Sequence, residues 1–113
     1  MTKYLISFPS AAMDVPDEEL PAVSDAAQAV VAEAKAAGVW VFGGGIDESV
    51  PPVLVDGAGT VTEGTYPHSE HLEGGYAVLE VPSRDAALGW AAKIAQACRC
   101  AQEVRAFQHD PAS

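Results

Sequence analysis

Two of the chain's three histidines, His68 and His71, fall within four consecutive residues. Imidazole is the side chain whose ordinary pKa lies near neutrality, so it serves in proton transfer and in metal binding. Glu70 stands between the two, and Glu63 and Glu73 are close in sequence. Residues three apart share a face on a helical turn. Two imidazoles and a carboxylate suit a divalent metal such as zinc. They suit a general base with an orienting acid equally well. Tyr66 adds a hydroxyl that can donate to a developing oxyanion. The same segment also reads as a solvated loop between strands, its histidines paired with nearby carboxylates.

Two residues elsewhere can join such chemistry. Asp47 follows Gly43-Gly44-Gly45 and either faces the cleft of His68 or sits in an exposed turn beside Glu48. Arg105 alternates with Val104 and Ala106, which puts it on a sheet face with Glu103 and Phe107. There it can hold a substrate carboxylate bidentately, or form an ion pair across a dimer. The glycine run lacks the G-x-x-x-x-G-K pattern and the basic residue of a phosphate loop. A bulge or a close backbone approach explains it better.

These residues sit in a chain of 113, the size of one domain spanning 1–113. Its 49% apolar and 19% charged content is that of a globular protein. The formal charge is −10, with 6 basic against 16 acidic residues. Lys3, Lys35, Arg84, Lys93, Arg99 and Arg105 are scattered singly, so no basic face forms. Nucleic acid and anionic membrane surfaces are therefore excluded as partners. A ligand is expected to be neutral or cationic, or met by Arg105. The opening apolar run is too short for a signal peptide or a membrane span, which predicts a cytoplasmic protein. Cys98 and Cys100 lie two apart, where a mutual disulfide would be strained, so reduced thiols are expected. No cofactor is called for beyond the metal that His68 and His71 could hold.

The elements that must position these groups follow from periodicity. Alternation predicts a strand over 3–8, with Tyr4, Ile6 and Phe8 on one face. A helix runs from Pro21, or from a cap at Ser24, to about Ala37. Its inward stripe is Val23, Ala27, Val30, Val31 and Ala34. The acids Asp14, Asp17, Glu18 and Glu19 precede it, where the helix dipole favours them. A strand over 39–42 ends in the glycine run. A hairpin pairs 53–55 with 60–62, and 63–73 is irregular. A strand over 76–81 follows, then a helix over 84–98 capped by Ser83. That helix buries Ala87, Ala91, Ile94 and Cys98, with Leu88 and Trp90 beside them. A strand over 102–108 closes the chain. Two βαβ-like halves with a hairpin between them predict an α+β, ferredoxin-like split βαβ sandwich, both helices on one sheet face. The other face carries apolar residues, and a second copy of the chain is the economical cover.

The run Val61-Thr62-Glu63-Gly64-Thr65-Tyr66-Pro67-His68-Ser69-Glu70-His71, followed by Gly74-Gly75-Tyr76, resembles the central signature of the YCII-related proteins of the DGPF type. That signature runs roughly V-T-D-G-P-F-A-E-T-K-E, then G-G-F or G-G-Y. Lys3-Tyr4, Ala37-Gly38-Val39 with Gly43-Gly44-Gly45, Asp85-Ala86-Ala87 through Trp90-Ala91, and Glu103-Val104-Arg105 resemble the family's other segments. The resemblance spans nearly the whole chain. It implies a dimeric α+β barrel in which two subunits pack sheet against sheet. It also implies kinship with enzymes acting on small ring compounds, such as a dehydrochlorinase, for which a His–Asp pair is proposed. Genes of this type often lie beside extracytoplasmic-function sigma factors, which implies an accessory role as the alternative. Here D-G-P-F is replaced by Glu63-Gly64-Thr65-Tyr66, and E-T-K-E by His68-Ser69-Glu70-His71. A role tied to the family's lysine therefore does not transfer. The enzymatic reading gives His68 or His71 the proton, with Glu63, Glu70 or Asp47 as orienting acid.

Overall fold

The computed structural model describes residues 1–112. Strand β1 (Thr2–Pro9) leads through two single 3-10 turns into helix α1 (Leu20–Ala36). Strand β2 (Trp40–Gly45) follows, then a short hairpin of β3 (Val53–Val55) and β4 (Val61–Glu63). A 3-10 turn at Pro67–Ser69 precedes β5 (Gly74–Val81), α2 (Arg84–Cys98) and β6 (Glu103–Ala106). The main sheet has the order β2-β5-β1-β6, with every neighbouring pair antiparallel. Each of the halves β1-α1-β2 and β5-α2-β6 skips one strand position. This is the ferredoxin-like arrangement that the alternation of strands and helices predicts.

Local chemistry fixes the helices. Pro21 lies in the first turn of α1, where its missing N–H costs nothing. The acids of the preceding turn, Asp17, Glu18 and Glu19, meet the positive end of the helix dipole. Ser24 therefore lies inside the helix and does not cap it. Ser83 caps α2, its Oγ accepting from the Ala86 N–H at 3.1 Å. Arg99 ends that helix in the left-handed region at φ 59°.

Both helices cover the same sheet face. The core there is Tyr4, Ile6, Ala34, Leu79, Val81, Ala87 and Ala91. Among the described residues, only Ile6, Leu79 and Val81 are large side chains fully removed from water. The helices contribute alanines, which fill little of the space they enclose. Leu88, expected beside the buried stripe of α2, is exposed.

The glycines prove to be part of β2 itself and do not end it. The register slips between Trp40, opposite Leu79, and Phe42, opposite Val78. Leu79 and Val78 point to opposite faces, so the bulge at Val41 turns Trp40 under the helices and Phe42 to the outside. The outer face also carries Leu5, Tyr76, Val78 and Phe107. Its charges are paired: Lys3 Nζ lies 3.5 Å from Glu80, and Arg105 Nη2 lies 3.3 Å from Glu103. Among the described residues, no helix is long and apolar enough to cross a membrane.

Candidate functional site

A cavity of about 350 Å³ lies between the helices and the sheet. Its aromatic walls are Phe8, Trp40 and Trp90, and its helix side includes Ala27, Val30 and Ala97. Small residues on facing elements create the void. On the sheet floor, a Cβ at Gly43 would stand 2.4 Å from Trp40 Cη2, and one at Gly75 would stand 2.6 Å from Phe8 Cε1. Glycine at both positions lets the two rings lie against the strands. The polar groups at the walls are Lys35, Gln102 and the Cys98 thiol. Cys98 is buried, and that burial, followed by the neighbouring Cys100, pushes its thiol pKa up. It faces the cavity as a neutral thiol. Both cysteines are free, as their spacing predicts. An adjoining depression under the first half of α1 shares Phe8, Ala27, Gly75 and Cys98 with the cavity. Across the helices, Lys93 pairs with Glu33 and sits 5.3 Å from the Trp90 ring centroid.

A second hollow, of about 290 Å³, lies on the outer face of the sheet. Ser7, Tyr76, Glu103, Arg105 and His71 border it. Tyr76 donates its hydroxyl to the Leu72 carbonyl at 2.6 Å, pinning the segment that carries His71. His71 Nε2 lies 3.3 Å from Glu70 Oε1, with its side chain 83% exposed.

Of the residues singled out in the sequence, His71 and Arg105 both border this hollow, and Glu70 pairs with the His71 imidazole. The others stand apart from this hollow. His68 lies on the 3-10 turn Pro67–Ser69 and is exposed, as is Tyr66. Glu63 is exposed on β4. Asp47 closes its own turn: Ser49 Oγ and N–H donate to its carboxylate at 2.6 and 3.0 Å, which holds its pKa below the usual range. Arg105 pairs with Glu103 of its own strand. No group of three or more His, Cys, Asp or Glu side chains suited to a metal occurs among the described residues. The set imagined at His68 and His71 does not assemble, because only one of them lies on the turn they would need to share. Trp40, Trp90, Lys35 and Gln102 surround the inner cavity, and none of them is among the candidate site residues that the sequence suggests. The signal for them was an alanine-rich inward stripe opposite a glycine-rich strand.

Fold and cavity together define an α+β domain of ferredoxin-like topology with a half-open cleft of ligand size between its helices and its sheet. The chain belongs to the YCII-related domain family, whose pattern matches residues 3–107. No curated protein matches it in sequence. Among solved structures it is similar to 5-chloro-2-hydroxyhydroquinone dehydrochlorinase from Burkholderia phenoliruptrix AC1100, in complex with 2,5-dihydroxybenzoquinone. That similarity has a TM-score of 0.49 at 16% identity, over 96% of this chain and 95% of the other.

Proposed function

We propose that this YCII-related domain binds a small, uncharged cyclic compound in the cavity between its helices and its sheet. The observation that carries this reading is an apolar space of about 350 Å³ walled by Phe8, Trp40 and Trp90. An apolar cavity of roughly 150 Å³ already admits benzene, and small-molecule pockets begin near 300 Å³. Lys35 and Gln102 supply the few polar groups that orient a hydroxyl or carbonyl on the ring. The charge of −10 disfavours an anion. The chain's two tryptophans both line the cavity, so their fluorescence tests the reading directly. Phenol and hydroquinone should quench it saturably, benzoate should bind at least tenfold more weakly, and Ala27→Phe should abolish saturation. Quenching that stays linear, or that is the same in Ala27→Phe, rejects the proposal.

A second reading is supported by the placement of His71 and Arg105 on one hollow. In it, the domain is an enzyme: Arg105 holds a carboxylate, and His71, oriented by Glu70, accepts a proton from the bound compound. The hollow lies on the outer sheet face, so water is kept from it only when that face is covered. A homodimer pairing the outer faces would provide the cover, and apolar Leu5, Phe42, Val78 and Phe107 favour it. Turnover that disappears in both His71→Ala and Arg105→Ala supports this reading; turnover unchanged in both removes it. The free thiols suit a reducing compartment such as the cytoplasm. The accessory role beside a sigma factor gains no support from the fold or the comparisons.

A further inference from the structure

We propose that the β3–β4 hairpin is an arm, and that its valine face grips a second copy of this chain. The inference rests on the reading that two copies meet through their outer sheet faces. It goes beyond that reading by assigning a separate element to the interface.

The hairpin's register pairs Val55 with Val61 and Val53 with Glu63, while Leu54 pairs with Thr62. Directly opposed residues share a face. One face therefore carries Val53, Val55 and Val61, with Glu63 at its open end opposite Val53, and the three valines are 51%, 62% and 61% exposed. The opposite face places Leu54 half-buried against its own chain. Among the described residues, neither strand packs substantially on the main sheet or on a helix. A lone two-stranded ribbon is marginal in water unless one face is covered. Yet the turn is firmly built. Asp56 Oδ1 accepts from the N–H groups of Ala58 and Thr60 at 2.9 and 3.0 Å, and Gly59 adopts φ 84°. The sequence thus specifies a hairpin and leaves three valines on one face bare beside the turn.

Charge and shape select a second copy as the occupant. Two chains of charge −10 repel each other wherever acids face acids. On the outer sheet face, Lys3 pairs with Glu80 and Arg105 with Glu103, so that face is apolar and locally balanced. It is where two acidic copies approach with least repulsion. The molecule is a slab of 43 × 43 × 20 Å with a radius of gyration of 15.7 Å. A compact chain of this length has about 13 Å. Four strands span about 20 Å across and eight residues about 26 Å along, a flat footprint of about 500 Å² against the roughly 800 Å² per partner of a stable interface. An arm reaching around the partner enlarges it.

Sedimentation equilibrium over a concentration series tests this, with circular dichroism confirming that each variant keeps its fold. The wild type should dimerise. The triple variant Val53→Ser, Val55→Ser, Val61→Ser should dimerise at least tenfold more weakly. Hydrogen exchange of the wild-type amides over 53–63 should slow as dimer forms. A dimer whose affinity is the same in the triple variant, with hairpin exchange independent of concentration, overturns the arm and leaves sheet pairing standing. A wild type that is monomeric throughout overturns both. Ligand titration of the inner cavity depends on neither result.

Discussion

Arg99 Nη1 lies 2.6 Å from Glu19 Oε1, joining the end of α2 to the turn that opens α1 across 80 residues of sequence. The pair is 44% and 46% exposed, so it contributes no more than about 1 kcal/mol. Arg99 also occupies the left-handed region at φ 59°, which costs a non-glycine residue roughly 1–2 kcal/mol. Two substitutions separate these effects. Arg99→Ala loses the pair and keeps the strain. Arg99→Gly loses the pair and releases the strain. Urea unfolding should find the glycine variant more stable than the alanine variant by about 1 kcal/mol.

The floor of the sheet gives a graded prediction. Gly74 has φ 149°, and a Cβ there would stand 2.0 Å from the Phe8 carbonyl oxygen, a backbone atom that cannot rotate away. Gly74→Ala should cost about 3 kcal/mol or more. At Gly75 the obstacle is the Phe8 ring, which can shift toward the cavity, so Gly75→Ala should cost about 1–3 kcal/mol. Nothing stands within 4 Å at Gly44, and Gly44→Ala should change stability by no more than about 0.5 kcal/mol. Denaturant midpoints in that order would confirm the close approach.

The fold was legible because its signals are local. Alternation along 3–8, Pro21 and Ser83 at helix starts, and the glycine after Ala37 each act within a few residues. The boundary errors were local as well. The strand expected over 39–42 continues through Gly45, and the bulge or close backbone approach expected of the glycine run is found: the register slips between Trp40 and Phe42, and the Trp40 ring and the Tyr76 carbonyl leave no room for a side chain at Gly43. The candidate site was less legible. His68 and His71 are neighbours in sequence, but the 3-10 turn ends at Ser69 and their side chains diverge in environment. Arg105 was placed on its face correctly because a strand's period of two is unambiguous. The inner cavity left only an indirect signal, small residues on facing elements, because emptiness belongs to no residue. Ala27 and Ala34 read as good core positions. That they leave a void between Trp40 and Trp90 depends on how far the helices stand from the sheet.

Cys98 should be slow to react and should carry a pH signature. Its thiol is buried, and its pKa is raised by that burial and then by Cys100. An unfolded thiol ionises near about 8.5. Above that pH the unfolded chain loses a proton that the folded chain keeps. The contribution is therefore complete below the unfolded pKa and is lost as pH rises through the folded one. Stability should fall on the alkaline side, and Cys98→Ala should flatten that limb. Alkylation at neutral pH should be markedly faster in the unfolded chain than in the native one.

Filling the cavity should stabilise the fold while closing the site. Ala27 lies on the inner stripe of α1 and borders both the cavity and the depression beside it. Ala27→Leu adds three carbons to a helix position where leucine is nearly as favourable as alanine. Each buried methylene contributes about 0.8 kcal/mol when it enters existing space. A gain of about 1 kcal/mol or more is expected in urea unfolding, together with at least a tenfold loss of affinity for hydroquinone by tryptophan fluorescence. The two readouts constrain each other. In a packed interior the same substitution would cost about 1–3 kcal/mol. Destabilisation would therefore show that the space between Trp40 and Trp90 is not open in solution, and a stable variant that still binds hydroquinone would move the ligand to another surface.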